Sequence, residues 1–98
     1  GWPTQDEVVK TLFADPAAAK DKVFMPDIQE SNITSMLDPV VTDPNVTVDG
    51  MNRSMADSVV YATAATGNGG TVTYKISMLR DGIGWKVANI ELYFPSQS

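Results

Sequence analysis

The sequence predicts an α+β domain in which two N-terminal helices pack on a curved, four-stranded antiparallel sheet. Helix signals, such as capping motifs and apolar residues at helical spacing, occur before residue 40. After residue 40 apolar and polar residues alternate, which is the pattern of strands with one buried face. The 98 residues contain no linker long enough to divide them, so we expect residues 1–98 to form one domain.

The first helix is predicted over residues 4–13. It opens on Thr4-Gln5-Asp6-Glu7, a capping box in which the threonine and glutamate side chains satisfy free N–H groups. Asp15-Pro16 ends the helix, because the residue before a proline avoids the α region. One further helical turn is expected over residues 17–20. Two apolar pairs define the buried side: Val8 with Leu12 and Val9 with Phe13.

A second, shorter helix is predicted over residues 27–37. Asp27-Ile28-Gln29-Glu30 repeats the capping-box pattern, and Asp38-Pro39 ends the helix. Its expected buried edge consists of Ile33, Met36 and Leu37. Between the two helices, residues 23–25 form a short apolar segment that ends at Pro26.

Four strands are predicted, over residues 45–50, 57–66, 71–80 and 84–94. Gly67-Asn68-Gly69-Gly70 forms a turn between the second strand and the third. The alternation does not decide which face of the second strand is buried. One set of candidates is Val59, Tyr61 and Thr63, and the other is Val60, Ala62 and Ala64.

The last two strands are predicted to form a β-hairpin, around which the rest of the chain is organised. In the first arm Val72, Tyr74, Ile76 and Met78 share one face. Asp81-Gly82 suits the positive φ angles of a tight turn. In the return arm Trp85 and Val87 differ in parity from Ile90, Leu92 and Phe94. We therefore expect a β-bulge near Ala88-Asn89, which returns the apolar residues to the core.

The composition excludes several kinds of functional site. The chain contains no cysteine and no histidine, so it has no disulfide framework, no thiolate metal site and no Ser-His pair. No apolar run approaches the roughly 20 residues of a membrane-spanning helix. The net charge of −5 repels phosphate, so nucleic-acid binding is not expected. No Gly-rich phosphate loop is present, and we expect no cofactor.

The start of the chain points to processing. It begins Gly1-Trp2-Pro3 rather than with methionine, so we expect a processed product or a tag remnant at Gly1. A missing N-terminal segment, such as a signal peptide, a lipid-anchoring leader or a transmembrane helix, is the expected route to secretion or membrane anchoring.

Two short motifs resemble a calcium-binding loop and glycosylation sites, but each has a simpler explanation. Asp43, Asn45, Thr47 and Asp49 alternate like the first oxygen ligands of a calcium loop, but Val48 stands where that loop needs glycine. The wet face of an edge strand explains them better, and no metal site is predicted. Three glycosylation sequons begin at Asn32, Asn45 and Asn52, a motif short enough to occur by chance.

Three stretches together carry a family resemblance. They are residues 3–9, residues 12–16 and the run Gly82-Ile83-Gly84-Trp85-Lys86-Val87. The chain is similar to small cystatin-like domains of the nuclear transport factor 2-like fold. Its layout also resembles low-molecular-weight secreted antigens of mycobacteria and uncharacterised lipoproteins of actinobacteria. The resemblance implies helices in the concave side of a bent sheet and an extracytoplasmic setting. Enzymatic members often use Asp with His, and this chain has no His.

Five residues are candidates for an apolar ligand pocket with phenol groups as hydrogen-bonding partners: Tyr61, Tyr74, Met78, Trp85 and Tyr93. The alternative is that they form the core, because cores use the same residue types. No catalytic residue is predicted.

The leading functional hypothesis is a non-catalytic binding or protein-interaction domain of a bacterial secreted or envelope protein. It would bind through the concave sheet face or an exposed strand edge. One alternative is a small-molecule carrier or vestigial enzyme with a pocket between helix 4–13 and the sheet, lined by Tyr61, Tyr74 and Met78. Another is a periplasmic assembly domain of a secretion or conjugation system, which would form a homodimer through the sheet. The expected partner is thus an unknown protein or a small apolar ligand.

Overall fold

The computed structural model describes residues 3–94 and confirms an α+β architecture with a four-stranded antiparallel sheet. Three helices come first: α1 (Gln5–Ala14), α2 (Pro16–Ala19) and α3 (Glu30–Leu37). The strands follow as β1 (Thr47–Arg53), β2 (Asp57–Ala65), β3 (Thr71–Asp81) and β4 (Gly84–Leu92). The sheet order is β1-β2-β3-β4, so consecutive strands are neighbours and β1 and β4 are the edges.

Within residues 3–94, none of the helices has the length and apolar character needed to cross a bilayer.

Aspartate and threonine caps set the ends of the first two helices. The Thr4 hydroxyl accepts a hydrogen bond from the backbone N–H of Glu7 (3.3 Å) at the start of α1. Asp15 ends α1 and caps α2, accepting from the N–H of Ala18 (3.2 Å). The helical turn expected after Pro16 is therefore a separate short helix, with proline at a first-turn position where no N–H is needed.

The third helix starts later than the sequence predicts, at Glu30 rather than at residue 27. Residues 23–25 explain the delay. Phe24 forms a parallel bridge with Val87, flanked by hydrogen bonds from Val87 N to Val23 O and from Met25 N to Val87 O. The chain must turn away from this bridge before it can become helical. It does so through a turn in which Ile28 N donates to Met25 O (3.3 Å).

Burial settles which face of β2 points inward. Val60, Ala62 and Ala64 are buried, whereas Val59, Tyr61 and Thr63 lie on the opposite, outer face. In the register with β3, Val60 pairs with Ile76 and Ala62 with Tyr74, so the small residues of β2 make room for large ones. The inner face of the sheet packs against the buried side of α1, which consists of Val8, Val9, Leu12 and Phe13.

The hairpin between β3 and β4 has the predicted bulge and a turn that begins one residue later than predicted. Ser77 pairs with Asn89 and Met78 with Val87, so Ala88 is the extra residue. Asp81 pairs with Gly84, which leaves Gly82-Ile83 as the turn. Only Gly82 has a positive φ there (65°), as in a two-residue turn with glycine at its first position.

Asp43 joins three parts of the fold. Its carboxylate accepts hydrogen bonds from the N–H of Asn45 and of Ala65, both at 2.8 Å, and its own N–H donates to Phe13 O (3.0 Å). The end of α1, the approach to β1 and the end of β2 meet at this residue, which is 7% exposed. The tight turn that it caps also delays β1, which begins at Thr47 rather than at residue 45.

Asp43 is expected to make stability fall in acid. Hydrogen bonds from Ala65 and then Asn45 lower the pKa of its carboxyl below the usual 3.8. The stability from Asp43 should therefore be fully present above the unfolded-state pKa. It should be lost as the pH falls through the lower folded-state pKa. Urea unfolding of wild type and Asp43→Asn between about pH 7 and pH 2.5 measures this effect. The substitution should lower stability at neutral pH and flatten the loss between about pH 4 and pH 2.5.

The matched control is Asp27→Asn, which removes an exposed carboxylate from the loop before α3. Its acid profile should follow that of the wild type. Parallel acid profiles for wild type and Asp43→Asn would show that the two hydrogen bonds do not stabilise the charged form.

Candidate functional site

The five residues predicted for one pocket lie in three separate places. Tyr74 and Met78 belong to the core, each 1% exposed. Trp85 lies under Arg80 near the β3–β4 turn. Tyr61 and Tyr93 form a pair on the outer face of the sheet. The structure therefore does not bring Tyr61, Tyr74 and Met78 together between helix 4–13 and the sheet, because Tyr61 is on the opposite face.

Tyr74 occupies the position where a pocket beneath α1 was expected. Its ring lies 5.7 Å from that of Phe13, centroid to centroid, and its hydroxyl donates to Pro39 O at 2.8 Å. Burial raises the pKa of the Tyr74 phenol. Leu12 and Phe13 from α1 are 0% exposed, so the space between helix and sheet around Tyr74 is filled by side chains.

Trp85 is a covered residue and not an open aromatic surface. It is 4% exposed, and the Arg80 guanidinium carbon lies 4.0 Å from its ring centroid. Arg80 is itself held by a hydrogen bond from its side chain to Ile83 O (2.9 Å) in the turn. Beside Trp85, a pocket of about 280 Å³ is lined by Pro3, Asp81, Gly84 and Lys86.

Tyr61 and Tyr93 form an accessible aromatic site on the outer face of the sheet. Their ring centroids are 4.8 Å apart and their planes are inclined by 59°. The pocket beside them has a volume of about 290 Å³ and is also lined by Asp49, Gly50 and Thr73. We call this pocket the tyrosine notch. Its five lining residues come from β1, β2, β3 and the residue after β4.

Strand register explains why the two rings meet. Tyr61 of β2 pairs with Gly50 of β1 on one side and with Lys75 of β3 on the other. Tyr93 continues the line of β4, and its N–H donates to Thr73 O (2.8 Å). Both side chains project from the outer face, one on each side of β3, and their rings contact each other above that strand. Gly50 has no side chain, so it leaves the Tyr61 ring open toward β1.

A row of hydroxyl groups holds the carboxylate of the tyrosine notch. Asp49 accepts hydrogen bonds from the hydroxyls of Thr47 (3.1 Å) and Thr63. The hydroxyls of Thr63 and Thr73 lie 2.8 Å apart, and Thr73 donates because Thr63 already donates to Asp49. Three strands therefore hold the Asp49 carboxylate in place next to the aromatic pair.

Asp49 and Gly50 are functional candidates that the sequence analysis missed. Val48 pairs with Ala62 and Gly50 with Tyr61, so Asp49 is an extra residue, a second β-bulge. The signal was present as an aspartate-glycine pair inside an otherwise alternating strand, since glycine in a strand often marks a bulge. The alternating pattern alone assigns Asp49 to the wet face of an edge strand, without relating it to Tyr61.

Two other pockets lie among the helices. One, of about 470 Å³, is a groove between α2 and α3 lined by Pro16, Ala17, Thr34, Leu37 and Val40 among others. Another, of about 330 Å³, lies beside the bridge at Phe24. In the part of the chain that the structure describes, no three acidic residues come close enough to hold a metal ion.

Comparison with known proteins yields no relative for this chain: no family model matches it, and no curated protein or solved structure matches it significantly.

Proposed function

We propose that this chain is a non-catalytic protein-interaction domain of cystatin-like, nuclear transport factor 2-like fold. We place it outside the cytoplasm, in a bacterial secreted or envelope protein. Its partner segment binds the outer face of the sheet at the tyrosine notch. The resemblance of residues 3–9, residues 12–16 and the Gly82 to Val87 run supports the fold family and the setting. The tyrosine notch supports the binding role.

The observation that carries the binding role is the Tyr61–Tyr93 pair. Tyr93 is 37% exposed, and the pair stands on a face otherwise made mainly of threonine, serine, lysine and asparagine. Tyrosine suits an interface because it combines a large rigid contact area with a polar group at low entropic cost. The hydrogen-bonded row from Asp49 to Thr73 holds the surroundings rigid, so little ordering would accompany binding.

A polypeptide partner fits this site better than an enclosed small molecule. The tyrosine notch is close to the edge of the sheet, because Asp49 and Gly50 lie on β1. Within residues 3–94, β1 pairs with β2 alone, so its other side offers N–H and C=O groups to an added strand. A segment beside β1 would run about 5 Å from Gly50, the spacing of neighbouring strands, and could place a side chain in the tyrosine notch.

The carrier hypothesis needs an internal cavity lined by Tyr74 and Met78, and both side chains are packed in the core. The tyrosine notch also lacks a paired nucleophile and base among its five lining residues. Its one carboxylate accepts hydrogen bonds from two threonine hydroxyls, an arrangement for holding a group in place.

Selection of random displayed peptides on the immobilised domain tests the proposal. Peptides that bind should shift the NMR signals of Gly50, Tyr61, Thr73 and Tyr93. Tyr61→Ala or Tyr93→Ala should weaken the binding of these peptides about tenfold, as expected for a central aromatic contact. Each substitution should lower the free energy of unfolding by only about 1 kcal/mol, the worth of an aromatic pair.

Phe94→Ala is the matched control, because Phe94 is the next aromatic residue and is 78% exposed. It should change peptide affinity less than about twofold, since residues outside a contact centre contribute little. Shifts confined to the groove between α2 and α3, or equal effects of Phe94→Ala and Tyr93→Ala, would contradict the proposal. Sedimentation of the free domain checks the assembly hypothesis, for which a homodimer through the sheet is the expected result.

A further inference from the structure

We infer that the tyrosine notch receives a cationic side chain of the partner segment, the guanidinium of an arginine or the ammonium of a lysine. The inference rests on the proposed function and adds the class of group that the site recognises. Three features of the notch carry it: the inclination of the two rings, the placement of one carboxylate, and the size of the space.

The rings of Tyr61 and Tyr93 form two walls and not a flat platform. Their planes are inclined by 59° and their centroids are 4.8 Å apart, so the rings touch each other, and a compact group on the open side of the angle lies near both. A cation is attracted to an aromatic face within about 6 Å of the ring centroid, and cages of several rings are the known use of this attraction.

Asp49 supplies the negative charge that a bound cation needs. It is the one charged residue among the five that line the tyrosine notch. Hydroxyls of Thr47 and Thr63 occupy two acceptor positions of its carboxylate. A carboxylate offers about four such positions, so acceptor capacity remains for a guanidinium or ammonium group. The net charge of −5 on the whole chain adds a long-range attraction for basic segments.

The size of the space suits a side-chain head group. The tyrosine notch measures about 290 Å³. A guanidinium or ammonium group fits within this space, and the remainder of the side chain would lead outward to a backbone beside β1.

Lys75 is a cation directly across the strands from Tyr61, and its charge opposes the binding of another cation. It pairs across the strands with Tyr61 and with Glu91. Within residues 3–94 the one ion pair joins Lys20 to Glu30, so no carboxylate there lies within salt-bridge distance of Lys75. Removal of this charge by Lys75→Gln should therefore tighten the binding of a cation, an effect opposite in sign to the loss of Asp49.

The test uses two defined peptides, acetyl-Gly-Ser-Arg-Ser-Gly-amide and its counterpart with citrulline, which has the shape of arginine without the charge. Both are titrated into the isotopically labelled domain at physiological salt, with chemical shifts as the readout. The arginine peptide should shift Gly50, Tyr61 and Tyr93 with a dissociation constant near millimolar. Citrulline should weaken binding about fivefold or more, because it loses both an exposed cation–π contact and the charge contact with the Asp49 carboxylate.

Variants locate the effect. Asp49→Asn should weaken binding of the arginine peptide by about threefold to fivefold, whereas Asp27→Asn, with the same change in net charge, should leave binding within about twofold. Gly50→Ala should also weaken binding, because its methyl group would lie 3.7 Å from the Tyr61 ring and occupy part of the notch without a clash. Lys75→Gln should tighten it.

The outcomes separate the two proposals. If displayed peptides bind the outer face but citrulline replaces arginine without loss, the inference on the cation is overturned and the interaction domain remains. If neither peptide shifts the signals of the tyrosine notch at millimolar concentration, the inference is overturned directly. If, in addition, the displayed peptides bind only at sites other than the outer face of the sheet, the proposed function is contradicted as well.

Discussion

Deletion of Ala88 is expected to unfold the protein or leave it with only a small part of its stability. Ala88 is the unpaired residue of the bulge in β4, between Val87, which pairs with Met78, and Asn89, which pairs with Ser77. Trp85 and Val87 before it and Ile90 after it all lie in the core, with 4%, 0% and 8% exposure. Without Ala88, strict alternation would turn one of these two groups to the outer face.

Either alternative is costly. Turning Ile90 outward would remove a buried aliphatic side chain and leave its space empty, at about 2–5 kcal/mol. Turning Val87 and Trp85 outward would cost more and would break the backbone hydrogen bonds between Val87 and residues 23–25. A domain of this size has a total stability of only about 5–15 kcal/mol, so either loss is a large share.

Urea unfolding followed by circular dichroism measures the effect of the deletion. The matched variant is Ala88→Ser, which changes the same residue but keeps the chain length, and it should stay within about 1 kcal/mol of the wild type. If the deletion variant were as stable as Ala88→Ser, β4 would have to slip without exposing either apolar group. The bulge would then not determine which side chains enter the core.

The bulge was predictable because two apolar groups of opposite parity were expected on one face, although only Ile90 of the second group is buried, while Leu92 and Phe94 are 45% and 78% exposed. The inner face of β2 was not predictable in the same way. Val59, Tyr61 and Thr63 are as suitable for a strand interior as Val60, Ala62 and Ala64. The choice depends on the volume left by Tyr74 and Ile76 in the neighbouring strand. An alternating pattern shows that two faces exist, but only the register with a partner shows which face is buried.

The same limit applies to the candidate site. Tyr61 and Tyr93 were both selected from the sequence, yet their proximity depends on the register of three strands and on the bulge at Asp49. The late start of α3 likewise depends on a contact between residues 23–25 and β4, which is distant in sequence. Local signals therefore predicted the order of the main elements and the Thr4 cap, but the capping box predicted at Asp27 is wrong, since the N-cap of α3 is Gln29 and makes no side-chain capping bond. Long-range pairing determined the faces, the tyrosine notch and the start of α3.

Replacement of Tyr74 by alanine is expected to lower the free energy of unfolding by about 3–5 kcal/mol, the usual cost of removing a large buried aromatic side chain. Tyr74 is 1% exposed, stands against Phe13, and lies on the inner face between β2 and β4. Its removal would leave an empty volume beneath α1 that backbone movement could only partly close.

Tyr74→Phe separates the hydrogen bond from the packing. The phenol donates to Pro39 O at 2.8 Å and so fastens the segment after α3 to the sheet. Loss of that bond alone should cost about 0.5–1.5 kcal/mol, because the ring still fills the same space. The two variants together should therefore show that most of the contribution of Tyr74 comes from burial of its ring.

Urea unfolding of Tyr74→Ala, Tyr74→Phe and Tyr93→Ala provides the comparison. Tyr93 is a tyrosine on the outer face, and its loss should cost about 1 kcal/mol. Tyr74→Ala should lower the free energy of unfolding much more than either of the other two substitutions. If Tyr74→Ala left the stability nearly unchanged, its ring would not be packed as the structure shows. A ligand cavity beneath α1 would then be the better explanation for this residue, and the carrier hypothesis would gain over the interaction domain. A large loss of stability supports the opposite conclusion, that the inner face holds the fold together and the outer face is free for binding.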